Sequence, residues 1–95
     1  MESILRTEPG ICFACGRRKP TEYHHIFFGH GLRPIADREG LTCYLCIECH
    51  KGTNGVHGKN GNALNRELKR IAQQRWEFLH SHEEWMTMIG RNYID

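Results

Sequence analysis

The chain has 95 residues, a formal net charge of +2 and 39% hydrophobic residues. That length predicts one domain whose core buries only a little over ~60% of the unfolded surface, and so small a charge does not by itself announce a nucleic-acid binder. No apolar run is long enough for a signal peptide or a membrane span, which predicts a cytoplasmic protein without membrane contact, and there five cysteines and seven histidines favour metal over disulfides.

Residues 1–10 lack periodicity and end in Pro9-Gly10, which predicts a loose N-terminal arm. CFACGRRKP (12–20) has the shape of a zinc knuckle, in which Cys12 and Cys15 converge on one ion. EYHHIFF (22–28) is aromatic and β-branched, a strand by propensity, on which the adjacent His24 and His25 point to opposite faces. GHGLRP (29–34) breaks that strand and predicts a loop running to about Gly40. LTCYLC (41–46) has strand composition and pairs back onto the first strand as a hairpin. In the stretch that follows, glycines at 52, 55, 58 and 61 predict one helical turn around His50 and then a loop carrying His57.

From Asn62 to His80 the pattern is helical, with Leu64, Leu68, Ile71, Ala72, Trp76 and Leu79 on one face and Arg66, Lys69, Arg70 and Gln73 opposite. Ser81 followed by Glu84 reads as a capping box that starts a second helix, stopped by Gly90. Trp76 and Trp85 fall on apolar faces and read as core, whereas His30, His80 and His82 read as exposed polar residues. The division is therefore an arm (1–10), a zinc-stapled core (11–61) and C-terminal amphipathic helices (62–95), in a single domain of α+β class.

Two C-x2-C pairs, at 12/15 and 46/49 with 30 residues between them, form a tetrahedral Zn²⁺ signature. Cys43 leaves a second register open, because 43, 46 and 49 form a C-x2-C-x2-C run, but no fourth cysteine stands at the spacing an iron–sulfur cluster requires. Cys46 is preferred, since Cys49 is followed directly by His50 and the knuckle then launches the turn that carries it. Closing such a site draws the base of the hairpin toward that turn and brings His24 and His25 near His50 and His57. Two diverging histidines suit phosphodiester hydrolysis, in which one side chain grips a cation and its neighbour reaches the attacking water. Basic residues are concentrated between the first cysteine and the middle of the long helix, and Arg33, Arg38, Lys51 and Lys59 among them are candidate nucleic-acid contacts.

HHI on a strand, then LC-x-x-CH and a further histidine, resembles the HNH endonucleases, and the likeness covers residues 12–57. With GVH, AQQRWE and the terminal GRNY, the whole chain resembles a small HNH-type protein of phage or prophage origin. The resemblance implies a ββα-metal core, DNA as substrate, and a phage or host recombination or packaging protein as a further partner. It implies His24 as ligand and His25 as general base, with His50 as the helix-borne ligand of a catalytic Mg²⁺, Mn²⁺, Ni²⁺ or Zn²⁺ ion beside the structural Zn²⁺. The last ligand is Asn54 by the usual four-residue step, or His57, the better donor for a borderline ion and the one preferred. The middle asparagine of the motif is absent: Gly40 stands near its place, and a backbone carbonyl or Asp37 is left to orient His25. A core without that asparagine is also open to a second reading, an inactive zinc module that binds nucleic acid or protein.

Overall fold

Aromatic and β-branched residues on both sides of the first glycine-rich break form a small antiparallel sheet, to which helices are added in chain order. The computed structural model describes residues 2–29 and 31–94. Its elements are β1 (Thr21–His25), α1 (Leu32–Glu39), β2 (Thr42–Cys46), α2 (Ile47–Lys51), α3 (Asn62–Trp76) and α4 (His82–Met88). This is an α+β architecture with one two-stranded sheet, in which Thr21 faces Cys46, Tyr23 faces Tyr44, His24 faces Cys43 and His25 faces Thr42. The first strand ends at His25 rather than Phe28, and Ile26 and Phe27 turn into the core.

The loop expected up to Gly40 is instead the helix α1. Pro34 lies in its first turn, where no backbone N–H is required; Gly31, which read as a breaker, is its N-cap, and Gly40 is its C-cap. Gly40 has φ +72°, and its backbone passes so close to the N-terminal segment that a Cβ would come within 2.5 Å of the Glu2 carbonyl oxygen. That segment is not loose: Ile4 N donates to Gly40 O, Tyr44 N donates to Thr7 Oγ1, and Leu5 is buried. It runs along β2 and bonds to backbone groups of Thr42 and Tyr44.

Helix α3 ends at Trp76, a turn earlier than its apolar pattern predicts. Leu79 therefore leaves the core and is 83% exposed, beside an equally exposed Phe78. Gln73, assigned by sequence to the solvent face, is fully buried: its amide donates to Glu77 Oε2 and Asn92 Oδ1 and accepts from Tyr93 N, which ties the C-terminal tail down. The capping box at Ser81 and Glu84 forms in both directions. Trp76 and Trp85 pack at 5.7 Å between ring centres, Trp85 also meets Phe27, and each indole N–H is satisfied, by Glu39 Oε1 and by Arg91 O respectively. His80 stacks on Trp76 and His82 pairs with Glu77, so both exposed histidines have partners; His30 lies outside the described residues.

Candidate functional site

The first knuckle is a tight turn in which Cys15 N approaches Cys12 Sγ at 3.5 Å and Gly16 N donates to Cys12 O. The second begins where β2 ends: Cys46 is the last strand residue and Cys49 lies one turn into α2. Strand pairing places Thr21 against Cys46 and a Lys19–Glu48 ion pair spans the two knuckles, so the sulfurs of Cys12, Cys15, Cys46 and Cys49 all lie within 4.8 Å of one another. Cys43 is outside this group, buried on the opposite face of β2, where burial and then the negative charge on Cys12 push its thiol up to about 12. At Cys12 burial opposes ionisation, but N–H groups of Cys15, Cys46 and Ala14 directed at the sulfur outweigh it and bring the pKa to about 6. Cys49 moves the other way, raised by burial and by the neighbouring sulfurs of Cys12 and Cys46. Such a cluster takes one thiolate readily and resists the next. A divalent cation removes that conflict, so the four cysteines could hold a structural metal such as zinc.

Three histidines gather on the other side of the sheet. His24 is buried on β1, His50 is buried on α2, and His57 arrives from the glycine-spaced segment; their ligand nitrogens also lie within 4.8 Å of one another. That segment is not an open loop. Gly55 N donates to Gly52 O, Gly58 N to Gly55 O and Gly61 N to Gly58 O, while Val56 N, His57 N and Asn60 N reach back seven residues to the carbonyls of Cys49, His50 and Thr53. The result is a chain of turns wound so tightly that a Cβ on Gly58 or Gly61 would stand 1.8 Å from a carbonyl oxygen of an earlier turn. Glycine is needed here for close approach of backbone to backbone, since none of these four residues has a positive φ. The His57 N–H to His50 C=O bond sets His57 beside His50, while Asn54, three residues earlier, is exposed.

The chemistry of these donors fits a borderline divalent ion. His24 Nε2 is buried with no hydrogen-bond partner among the described residues, and its pKa falls to about 3 through burial first and then the proximity of His50 and His57. Burial, followed by His50, also lowers His57. Imidazoles held neutral in this way keep a lone pair available to a cation.

His25 diverges from His24, as adjacent strand residues must, and its Nε2 lies 2.8 Å from Asp37 Oδ1 on α1. Both histidines nonetheless line one cavity of about 310 Å³ at the sheet edge, together with Tyr23, Phe28, Arg33, His50, Lys51 and His57. Of the four candidate nucleic-acid contacts, Arg33 and Lys51 face this cavity. Arg38 does not; it pairs with Glu39 and borders a separate depression beside Glu83 and Glu84. Lys59 is exposed on the glycine-spaced segment. Two carboxylates contact the histidines: Asp37, one of the two groups the sequence left to orient His25, and Glu22, which the sequence did not single out and whose Oε1 is 2.8 Å from His50 Nδ1. The signal for Glu22 was its two-residue offset from His24, which puts both on one strand face.

No protein-family model matches the chain, and no curated protein or solved structure matches it either.

Proposed function

We infer that the chain is a metal-dependent DNA endonuclease of HNH type, with His25 as general base and His24, His50 and His57 as ligands of a catalytic divalent ion. One observation carries this reading: a single cavity is walled by the three-histidine cluster and by His25, and two cations, Arg33 and Lys51, stand on the same walls. An ion held by the three imidazoles would supply positive charge for the phosphate and the leaving oxygen. Three neutral nitrogen donors suit Zn²⁺ or Ni²⁺ better than Mg²⁺, which favours oxygen.

The protein's own part is proton transfer and positioning. With its Nε2–H donated to Asp37 Oδ1 at 2.8 Å, His25 keeps Nδ1 as the nitrogen that accepts a proton. Water gives that proton to Nδ1 as its oxygen forms a bond to phosphorus and the bond to the leaving oxygen breaks. The imidazolium so produced is stabilised by the Asp37 carboxylate, which takes over the orienting task of the missing asparagine. Arg33 and Lys51 hold neighbouring phosphates without reading sequence.

The test is zinc-loaded protein incubated with supercoiled plasmid and, in turn, Zn²⁺, Ni²⁺, Mn²⁺ and Mg²⁺. Nicked or linear product with the borderline ions is expected. No cleavage with any ion, although the histidines are shown to bind metal, would sink the nuclease and leave a zinc module that binds nucleic acid or protein.

A further inference from the structure

Strand β1 alternates, so Glu22 and His24 share the face that turns toward α2, while Tyr23 and His25 share the other. From this face Glu22 makes two contacts, both to consecutive residues of α2: Oε1 lies 2.8 Å from His50 Nδ1, and Oε2 lies 3.5 Å from Lys51 Nζ. We propose that Glu22 is the positioning residue of the three-histidine cluster, and that by accepting a hydrogen bond from His50 Nδ1 it fixes the tautomer that leaves Nε2 for a divalent cation shared with His24 and His57. The proposal rests on the reading of that cluster as a metal site, not on the nuclease.

A neutral imidazole carries a single N–H, and whichever nitrogen holds the hydrogen cannot bind a cation. His50 is only 8% exposed, so bulk water does not compete for its Nδ1, and the carboxylate decides where the hydrogen sits. Glu22 thereby brings a carboxylate into contact with a ligand set made only of imidazoles. Lys51 braces the same carboxylate from the next residue, which limits its rotation away from His50. An orienting carboxylate of this kind raises the basicity of the ligating nitrogen and the affinity of the site.

The experiment uses the full chain with zinc already bound at the cysteines, and two readouts. Long-range ¹H–¹⁵N spectra of the histidine rings report the tautomer of His50, and visible absorption during Co²⁺ titration reports affinity at the histidines. The wild type should show His50 with hydrogen on Nδ1. Glu22→Ala should show both tautomers and bind Co²⁺ about 10–100-fold more weakly. Glu22→Gln, whose amide offers donor and acceptor alike, should lose the single tautomer and fall between the two in affinity. Lys51→Ala, which removes the brace but leaves the carboxylate, should keep the Nδ1–H tautomer. A Glu22→Ala protein with wild-type Co²⁺ affinity and an unchanged tautomer overturns the proposal; if that variant does not fold, the same result in Glu22→Gln overturns it. A wild type that binds no Co²⁺ at the histidines overturns the metal reading beneath it as well. Cleavage is not measured, so failure of the nuclease reading stays separate.

Discussion

Cys12, Cys15, Cys46 and Cys49 come in two pairs, each three residues apart, whereas His24, His50 and His57 come from a strand, a helix and a wound segment, separated by 26 and then 7 residues. The cysteine group is assembled by two short turns, and its sulfurs crowd together in a way that opposes full ionisation without a cation. In the histidine group the pKa values of His24 and His57 are lowered by burial, and backbone bonds and neighbouring side chains hold the group in place. A cation bound at the first cluster would therefore relieve its crowding, whereas contacts within the chain already hold the second. The two meet at Cys49 and His50, whose consecutive carbonyls anchor the segment that carries His57.

The largest expected effect breaks the cysteine side of this comparison. Structural zinc supplies on the order of 10 kcal/mol of apparent binding free energy, as much as the whole stability of a small domain. Cys46→Ser should consequently give insoluble or molten protein without zinc, whereas Cys43→Ser should stay folded and keep its zinc, as read by metal content and circular dichroism. Equal behaviour of the two variants would mean that the ligand register is wrong.

Next in size is Gly58→Ala, aimed at the histidine side. The new methyl would stand 1.8 Å from Gly52 O, a clash with backbone that the segment relieves only by unwinding. A stability loss of roughly 3 kcal/mol, the upper end for overpacking, is expected together with loss of tight Co²⁺ binding at the histidines, while zinc remains on the cysteines. Calorimetry and Co²⁺ titration check both parts, and unchanged Co²⁺ affinity would show that the wound segment does not position His57.

A smaller effect concerns pH. The His24 pKa in the folded chain is about 3, below its ordinary value of 6.5, so as pH falls through 6.5 the unfolded chain takes up the proton first. Stability contributed by neutral His24 is thus present above that value and is lost on acidification, by up to roughly 1.4 kcal/mol per pH unit. The difference in melting between wild type and His24→Leu, followed from pH 7 to about 5, isolates this slope from acid release of the cysteine-bound ion. A difference that does not change with pH would contradict it.

The smallest effect separates the basic residues. Arg33→Ala should weaken DNA binding by about tenfold or less and lower the salt slope by about one, because Arg33 faces the cavity. Arg38→Ala, paired with Glu39 on another surface, should change neither. Fluorescence anisotropy across a salt series decides between them.

Much of the cysteine group was legible because C-x2-C spacing is local chemistry, and the start of α3 and the capping box of α4 were legible for the same reason. What escaped depends on contacts between distant residues. Helix α1 was missed although Leu32, Ile35 and Ala36 stand at helical spacing, because Gly29, Gly31 and Pro34 read as breakers; the contact of Asp37 with His25, open in the sequence beside a backbone carbonyl, depends on that helix. The glycines at 52, 55, 58 and 61 have the same composition whether a segment is slack or wound, and only the seven-residue hydrogen bonds distinguish the two. Gln73 was placed by periodicity on the solvent face because the tail residue that covers it, Tyr93, lies 20 positions away.

The most direct test of the central claim compares His24→Ala and His25→Ala in plasmid cleavage, with bound metal counted in each. His24 is buried and His25 partly exposed, so the folded state of each variant is checked by circular dichroism before cleavage is compared. The expected result is that His25→Ala keeps its full metal content and DNA affinity yet cleaves ~10²-fold or more slowly, the usual scale for a general base, while His24→Ala also loses the ion at the histidines. Cleavage by His25→Ala at the wild-type rate with every divalent ion would contradict the assignment of His25 as the base.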